Sequence, residues 1–462
     1  SLSANWMWPC KNEGEDARLY KAVKAVSEFS IGLGINIPTG KDSLSMKQKY
    51  PDGDVISPGT VIISAAGNCN EISKVVEPLL KVDGGNIYYI NISQDDFKLG
   101  GSSFNQVLNA IGNETPDVTN TAFVKNTFNT IQELIKADKI KAGHDVASGG
   151  LITTLLEMCF ADVNLGADFN ITSLNEEDSI KVLFSENSGI VFQADASVET
   201  TLSENNIEFF NIGTANNSGT VTIKNSEDNF AFNVAEIRDV WFKTSFLLDQ
   251  KQTANNLAQD RFDNYKHQAL DFTFPTHFTG KLKDALGKNS SRPKAAILRE
   301  KGSNSEREMA NAMYLAGFDV KDVHMTDLIS GRETLEDIQF LGAVGGFSNS
   351  DVLGSAKGWA GAIKYNDNAN KVIKDFFKRE DTLSVGICNG AQLWMELDLV
   401  NPEHETHGKL TYNNSKKHES GFTSVEIQKN NSVMLSSLEG ATLGVWISHG
   451  EGKFKLPYSE DK

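Results

Sequence analysis

Apolar positions recur along this chain with two periods, and the switch between them marks out its elements. In residues 13–35, Leu19, Ala22, Val23 and Val26 fall at i, i+3, i+4 and i+7, one helical face that Gly32 and Gly34 then end. Short apolar runs of strand type lie at 2–6, 61–66, 86–92, 181–184, 189–193 and 207–213, and helices are expected over 104–112, 117–138 and 150–162. Strands alternating with helices over 1–240 predict α/β or α+β structure, divided as 1–85 and 86–240. A helix over 241–257 gives way to Gln, Asn, Asp and Lys, so 241–292 reads as a partly structured linker. From Lys294 the order becomes βαβ, with strands at 295–298, 318–323, 340–344 and 381–385 and helices at 305–316, 358–366 and 391–397. Ser305 and Glu308 form an expected capping box. This order predicts a doubly wound, flavodoxin-like domain over 293–462, with ligands at the carboxyl ends of its strands.

Composition narrows the class. The 462 residues, 39% hydrophobic and 23% charged, suffice for two or three soluble domains. No run of eighteen apolar residues is present and no signal-peptide pattern opens the chain, so neither a membrane span nor a secretory leader is expected. A net charge of −17 argues against nucleic acid or anionic membrane as partner. Any phosphate must then be held locally, by backbone N–H groups and a metal ion. Cys10, Cys69, Cys159 and Cys388 show neither disulfide nor zinc spacing, which points to a reducing, cytoplasmic setting.

One of these cysteines stands apart. Gly386-Ile387-Cys388-Asn389-Gly390 joins a strand-like run to a helix-like one. Two glycines around a nucleophile at such a junction build a sharp turn that projects one side chain into solvent. A helix start there favours thiolate over thiol. The N–H of Asn389 and one from Gly346 or Phe347 can serve a developing oxyanion. Gln392 fits either a substrate contact or a helix-surface glutamine.

Two further runs carry chemistry. In Gly143-His144-Asp145-Val146-Ala147-Ser148-Gly149-Gly150, Asp145 offers an oxygen ligand for Mg²⁺ beside small residues that admit a phosphate. A helix N-cap with close-packed glycines reads equally from the residues. Lys41-Asp42-Ser43, after Gly40 and before strand-like Leu44-Ser45-Met46, fits a phosphate contact or an exposed charged turn.

These motifs carry a family resemblance. The cysteine elbow, Gln392 and Gly345-Gly346-Phe347-Ser348 resemble the class I glutamine amidotransferases. More narrowly, Gly345-Gly346-Phe347-Ser348-Asn349-Ser350-Asp351-Val352-Leu353-Gly354, Gly358-Trp359-Ala360 and His449-Gly450-Glu451-Gly452 resemble the glutaminase part of the phosphoribosylformylglycinamidine synthase family of purine biosynthesis. That family usually carries Tyr-Gly where this chain has Asn349-Ser350. Leu2-Ser3-Ala4-Asn5-Trp6, Gly14-Glu15-Asp16-Ala17-Arg18-Leu19-Tyr20, the run from Pro38 to Met46 and the run from Gly143 to Leu151 resemble its synthase half, in the family's order.

The resemblance implies a PurM-like synthase region followed by a truncated class I amidotransferase domain. It implies that Cys388 hydrolyses glutamine, with Gly346, Phe347, Asn389 and Gln392 around the substrate. It also implies Mg²⁺ at Asp145, and ATP or ADP at Ala147 and Ser148 with Lys41, Asp42 and Ser43. The parent reaction would convert formylglycinamide ribonucleotide, glutamine and ATP to the amidine, glutamate, ADP and phosphate. His449-Gly450-Glu451 looks like a triad completion, but the family's catalytic pair is a later His-Pro-Glu, which this chain lacks. The base is therefore expected beyond Lys462, and neither end reads as a natural terminus. Further Mg²⁺ carboxylates and glycine-rich ATP segments are expected ahead of Ser1, in the rest of the same polypeptide, leaving this portion impaired. The competing readings are another cysteine amidotransferase or hydrolase using Cys388, His449 and Glu451, and a non-catalytic nucleotide-binding fragment.

Overall fold

The computed structural model describes residues 1–267, 270–281 and 291–458, so parts of the expected linker and the last four residues lie outside it. The chain divides into two compact units, Ser1–Phe242 and Lys243–Lys462.

In the first unit, Leu2–Met7 is the middle strand of three, parallel to Thr39–Ser43 and antiparallel to Thr60–Ala65. The helix Glu15–Leu33 supplies the crossover that a parallel pair requires. A seven-stranded sheet follows in the order Asp228–Asn233, Thr220–Asn225, Gly166–Asn170, Phe210–Asn216, Asn86–Asn91, Gly189–Ala194, Ile140–Val146. Asn86–Asn91 lies inside this sheet and is covered on both faces. Ile87 and Tyr89 pack with Leu151 and Leu155, while Tyr88 and Ile90 pack with Phe123 and Ile131. Burial on both faces explains why its sequence reads as an unbroken apolar run.

Several expectations are corrected. Residues 181–184 are not a strand but part of the helix Ser179–Phe184, because the Asp178 carboxylate accepts the N–H groups of Ile180 and Lys181 and caps it. Four apolar residues cannot tell a strand from a buried helical turn. The strand expected at 207–213 is Phe210–Asn216, with a bulge between Asn211 and Gly213. Its neighbouring helices are shorter than expected, at Ser103–Val107, Thr121–Lys136 and Gly150–Glu157. Asn120 caps the second of these and fixes its start. The helix expected from residue 241 begins at Val234.

In the second unit four parallel strands run in the order Asp319–His324, Lys294–Arg299, Phe340–Ala343, Leu383–Gly386. Trp359, Ile373, Phe376 and Leu393 form the core on one face of this sheet, and Met313, Phe318 and Phe340 form a second core on the other. That is the doubly wound arrangement. The capping box expected at Ser305 does not form. Ser305 is left-handed (φ 69°), and its side chain makes no cap hydrogen bond to the helix Glu306–Leu315. Glu306 and Glu308 instead place negative charge in the first turn.

Residues 243–267 and 270–281 belong to this unit. Thr273 bridges to Thr442, and the Asp249 carboxylate pairs with both Lys417 and Arg261. Burial pushes the Asp249 pKa up, but hydrogen bonds from Lys417 and Thr253 and the charge of Arg261 outweigh it, and the net direction is down. A depressed carboxyl pKa stabilises the fold above its unfolded value of about 3.9, and that stability goes as pH falls through the folded value. The second unit should therefore unfold more readily in acid, and Asp249→Asn should flatten this dependence in melts between pH 7 and pH 3. An unchanged pH profile would refute the assignment.

Candidate functional site

The elbow is made by close approach. Strand Leu383–Gly386 ends beside Phe340–Ala343, the N–H of Ile387 donates to the Ala343 carbonyl at 3.0 Å, and the helix Asn389–Glu396 begins at once. A Cβ on Gly390 would lie 2.1 Å from the Ala343 oxygen, and one on Gly386 would lie 2.6 Å from the Gly390 oxygen. Cys388, between them, is held at φ 53°, ψ −110°. Such backbone costs of order 1–3 kcal/mol and persists only where the surroundings impose it. The thiol is exposed, and its one hydrogen bond among the described residues is to the Ser448 carbonyl, at 3.9 Å.

The 345–351 loop lies against this elbow. A Cβ on Gly345 would sit 3.3 Å from the Cβ of Cys388. The Phe347 N–H donates to the Gly302 carbonyl at 2.9 Å and is therefore already engaged within the loop. Asn389 follows as the first helical residue, where a backbone N–H has no intrahelical acceptor.

Below the thiol lies a polar network that the residues alone did not reveal. Asn389 is wholly buried; its Oδ1 accepts from the Ser348 N–H at 3.2 Å, and its Nδ2 faces Asp351 Oδ1 at 3.2 Å and Gln392 Oε1 at 3.0 Å. Gln392 Nε2 donates to the Glu451 carbonyl at 2.9 Å. Gln392 thus points inward, away from the surface position that its helical setting allowed. His449 is turned to Asn413, whose Oδ1 is 3.0 Å from its Nδ1, and Asn413 Nδ2 also donates to the His449 carbonyl at 2.7 Å. Glu451 meets the site through its backbone.

In the first unit, Asp145 lies near the end of strand Ile140–Val146 with its carboxylate exposed. His144 stands between two acids, Nδ1 3.5 Å from Asp145 and Nε2 3.2 Å from Glu157. Ala147 and Ser148 form the exposed turn before Gly149 and Gly150, both at positive φ (91° and 75°). Glu186, missed in the sequence, accepts the N–H groups of Gly149 and Ser103, each at 2.8 Å. Lys41, Asp42 and Ser43 lie on the strand Thr39–Ser43 rather than in a turn, with Lys41 bonded to Ser43. Among the described residues no hydrogen bond or ion pair joins them to Asp145. No group of three or more acids, histidines or cysteines is arranged for a metal among those residues either. A single exposed carboxylate still fits Mg²⁺, which commonly takes one or two carboxylates with phosphates and water.

A strained cysteine elbow at the carboxyl edge of a doubly wound parallel sheet stands where such folds place a nucleophile and its ligands. Residues 292–461 match the CobB/CobQ-like glutamine amidotransferase domain, 1–68 the FGAR-AT PurM_N-like domain, and 89–224 the C-terminal domain of AIR synthase related proteins.

Over nearly its whole length the chain is similar to proteins named as phosphoribosylformylglycinamidine synthases. It is 38% identical over 471 residues to a probable phosphoribosylformylglycinamidine synthase, chloroplastic/mitochondrial, of Arabidopsis thaliana, covering 98% of this chain and 33% of that protein. It is 37% identical over 480 residues to a probable phosphoribosylformylglycinamidine synthase of Caenorhabditis elegans, covering 98% of this chain and 36% of the relative. The chain therefore spans about a third of the length of these relatives. Among solved structures, PurLQS from Thermotoga maritima is similar at 23% identity and a TM-score of 0.31, over 37% of this chain and 72% of that one.

Proposed function

We propose that this chain is part of an ATP-dependent amidoligase that makes formylglycinamidine ribonucleotide, with the second unit as its glutaminase. The exposed, strained Cys388 elbow carries the reading. Its thiolate attacks the side-chain carbonyl carbon of glutamine, and the N–H groups of Asn389 and Gly346 receive the oxyanion. Collapse breaks the C–N bond; the nitrogen takes up the proton that the thiol gave up and leaves as ammonia, and the acyl group stays on Sγ as a thioester. Water then hydrolyses the thioester, giving glutamate and restoring the thiol. His449 is not assigned as base, because among the described residues the thiol's hydrogen bond is to the Ser448 carbonyl and none joins it to the His449 ring. Gln392 supports the site from below rather than gripping substrate.

In the first unit, Asp145 would hold Mg²⁺, which supplies charge neutralisation to the phosphates of ATP or ADP. Ala147 and Ser148 leave room for backbone approach there, and Lys41 on the three-stranded sheet offers a positive charge with Asp42 and Ser43 beside it. The substrates are glutamine and formylglycinamide ribonucleotide, and no nucleic acid or membrane partner is proposed. No described helix is long and apolar enough to cross a membrane. The free cysteines support a reducing compartment, and we place the protein in the cytoplasm.

A chloroketone shaped like glutamine tests the glutaminase reading. Its ketone needs oxyanion donors as the thiolate adds, before sulfur displaces chloride. We expect peptide mapping to find Cys388 labelled well ahead of the equally exposed Cys69, with glutamine protecting it; equal labelling of the two would refute it. For the nucleotide site, calorimetry should show Mg²⁺-dependent ATP or ADP binding weakened roughly tenfold or more by Asp145→Ala. Binding that ignores this substitution removes the assignment.

A further inference from the structure

We propose that Asp351 is a positioning residue for the nucleophile, acting through Asn389 on the loop beside Cys388. This rests on the glutaminase reading above. Asp351 Oδ1 accepts the Ala356 N–H at 3.2 Å, and the same carboxylate faces Asn389 Nδ2, at 3.2 Å to Oδ1 and 3.4 Å to Oδ2. Both amide hydrogens of Asn389 are thereby committed, one side to Asp351 and the other to Gln392, while its oxygen serves the Ser348 N–H. This environment admits one orientation of the amide. Flipped, it would set NH₂ against the Ser348 N–H and oxygen against the Asp351 carboxylate. The carboxylate thus decides which way Asn389 points, and so whether Ser348 has an acceptor.

Ser348 closes the segment whose Gly345 abuts Cys388 and whose Gly346 is assigned above as an oxyanion donor. Local preference does not hold that segment in place. Asn349, Ser350 and Asp351 are all left-handed, at φ 52°, 57° and 47°, a conformation single non-glycine residues adopt only under constraint. The seat of the loop against the thiol therefore depends on a side chain well away from the sulfur in sequence. Gln392 extends the same anchor to the Glu451 carbonyl.

Two reagents separate positioning from simple support. Iodoacetamide alkylates Cys388 by direct displacement and needs no oxyanion donor, whereas the glutamine-like chloroketone does. In the full chain, Asp351→Ala should slow chloroketone labelling of Cys388 roughly tenfold or more, short of the 10²–10³ for deleting a donor outright. Iodoacetamide labelling should stay within about twofold, since direct displacement of iodide draws on no oxyanion donor. Asp351→Asn should recover most of the chloroketone rate, because Oδ1 alone accepts from both Asn389 and Ala356.

Loss of loop stability is controlled by Ser350→Gly, which relieves the left-handed backbone without supplying a carboxylate. Combined with Asp351→Ala it should restore the melting temperature but not the chloroketone rate. Restoration of both, or equal slowing with the two reagents, overturns the proposal. Failure of the glutaminase reading looks different: the unsubstituted chain would show no chloroketone preference for Cys388 over Cys69.

Discussion

Gly390→Ala is expected to cost the second unit about 3 kcal/mol or more and to slow labelling of Cys388 by glutamine-like reagents at least about 10²-fold. The added methyl would lie 2.1 Å from the Ala343 oxygen, 2.5 Å from its carbonyl carbon and 2.9 Å from its Cβ. None of these atoms belongs to a flexible side chain. Ala343 is fully buried at the end of an internal strand, and its oxygen accepts the Ile387 N–H that shapes the turn. Relief must come from moving the helix Asn389–Glu396 off the sheet, which shifts Cys388 and the Asn389 N–H together. Gly421→Ala is the control, because nothing lies within 4 Å of the Cβ it would add. Denaturation and labelling should leave Gly421→Ala within about 0.5 kcal/mol of the unsubstituted chain. If the two variants behave alike, the close approach is not what builds the elbow.

The second large effect is chemical. Cys388→Ala should abolish whatever glutamate release from glutamine the unsubstituted chain shows, because the covalent step has no other nucleophile at this turn. Cys388→Ser should not rescue it, since a hydroxyl in the same place is far less acidic than a thiol. Binding of ATP by the first unit should be unchanged, and Cys69→Ala should leave hydrolysis intact. Residual turnover above a few per cent in Cys388→Ala would mean that glutamine is opened elsewhere.

What could be read from the chain follows the distance over which each signal acts. The elbow was legible because its causes, two glycines and a strand-to-helix change, lie within five residues. The doubly wound sheet was legible because each strand and helix carries its own period. Residues 181–184 misled because capping by Asp178 outweighs a short apolar run. The network under Cys388 joins Ser348, Asp351, Asn389, Gln392 and the Glu451 carbonyl, groups drawn from widely separated parts of the chain. Nothing in a linear pattern says that these meet. The same holds for Asp249 and Lys417, separated by 168 positions. Gln392 shows both limits at once: its position invited a substrate role, and only its neighbours reveal that both ends of its amide are occupied.

Glu186 accepts the N–H groups of Ser103 and Gly149 on a single oxygen. Two glycine-bearing loops, far apart in the chain, therefore share one latch, and neither amide can lose its acceptor without disturbing the other's. In hydrogen exchange the two amides should open as one cooperative unit rather than as two independently fraying turns. Any event that draws Glu186 away would unlock both loops in the same motion.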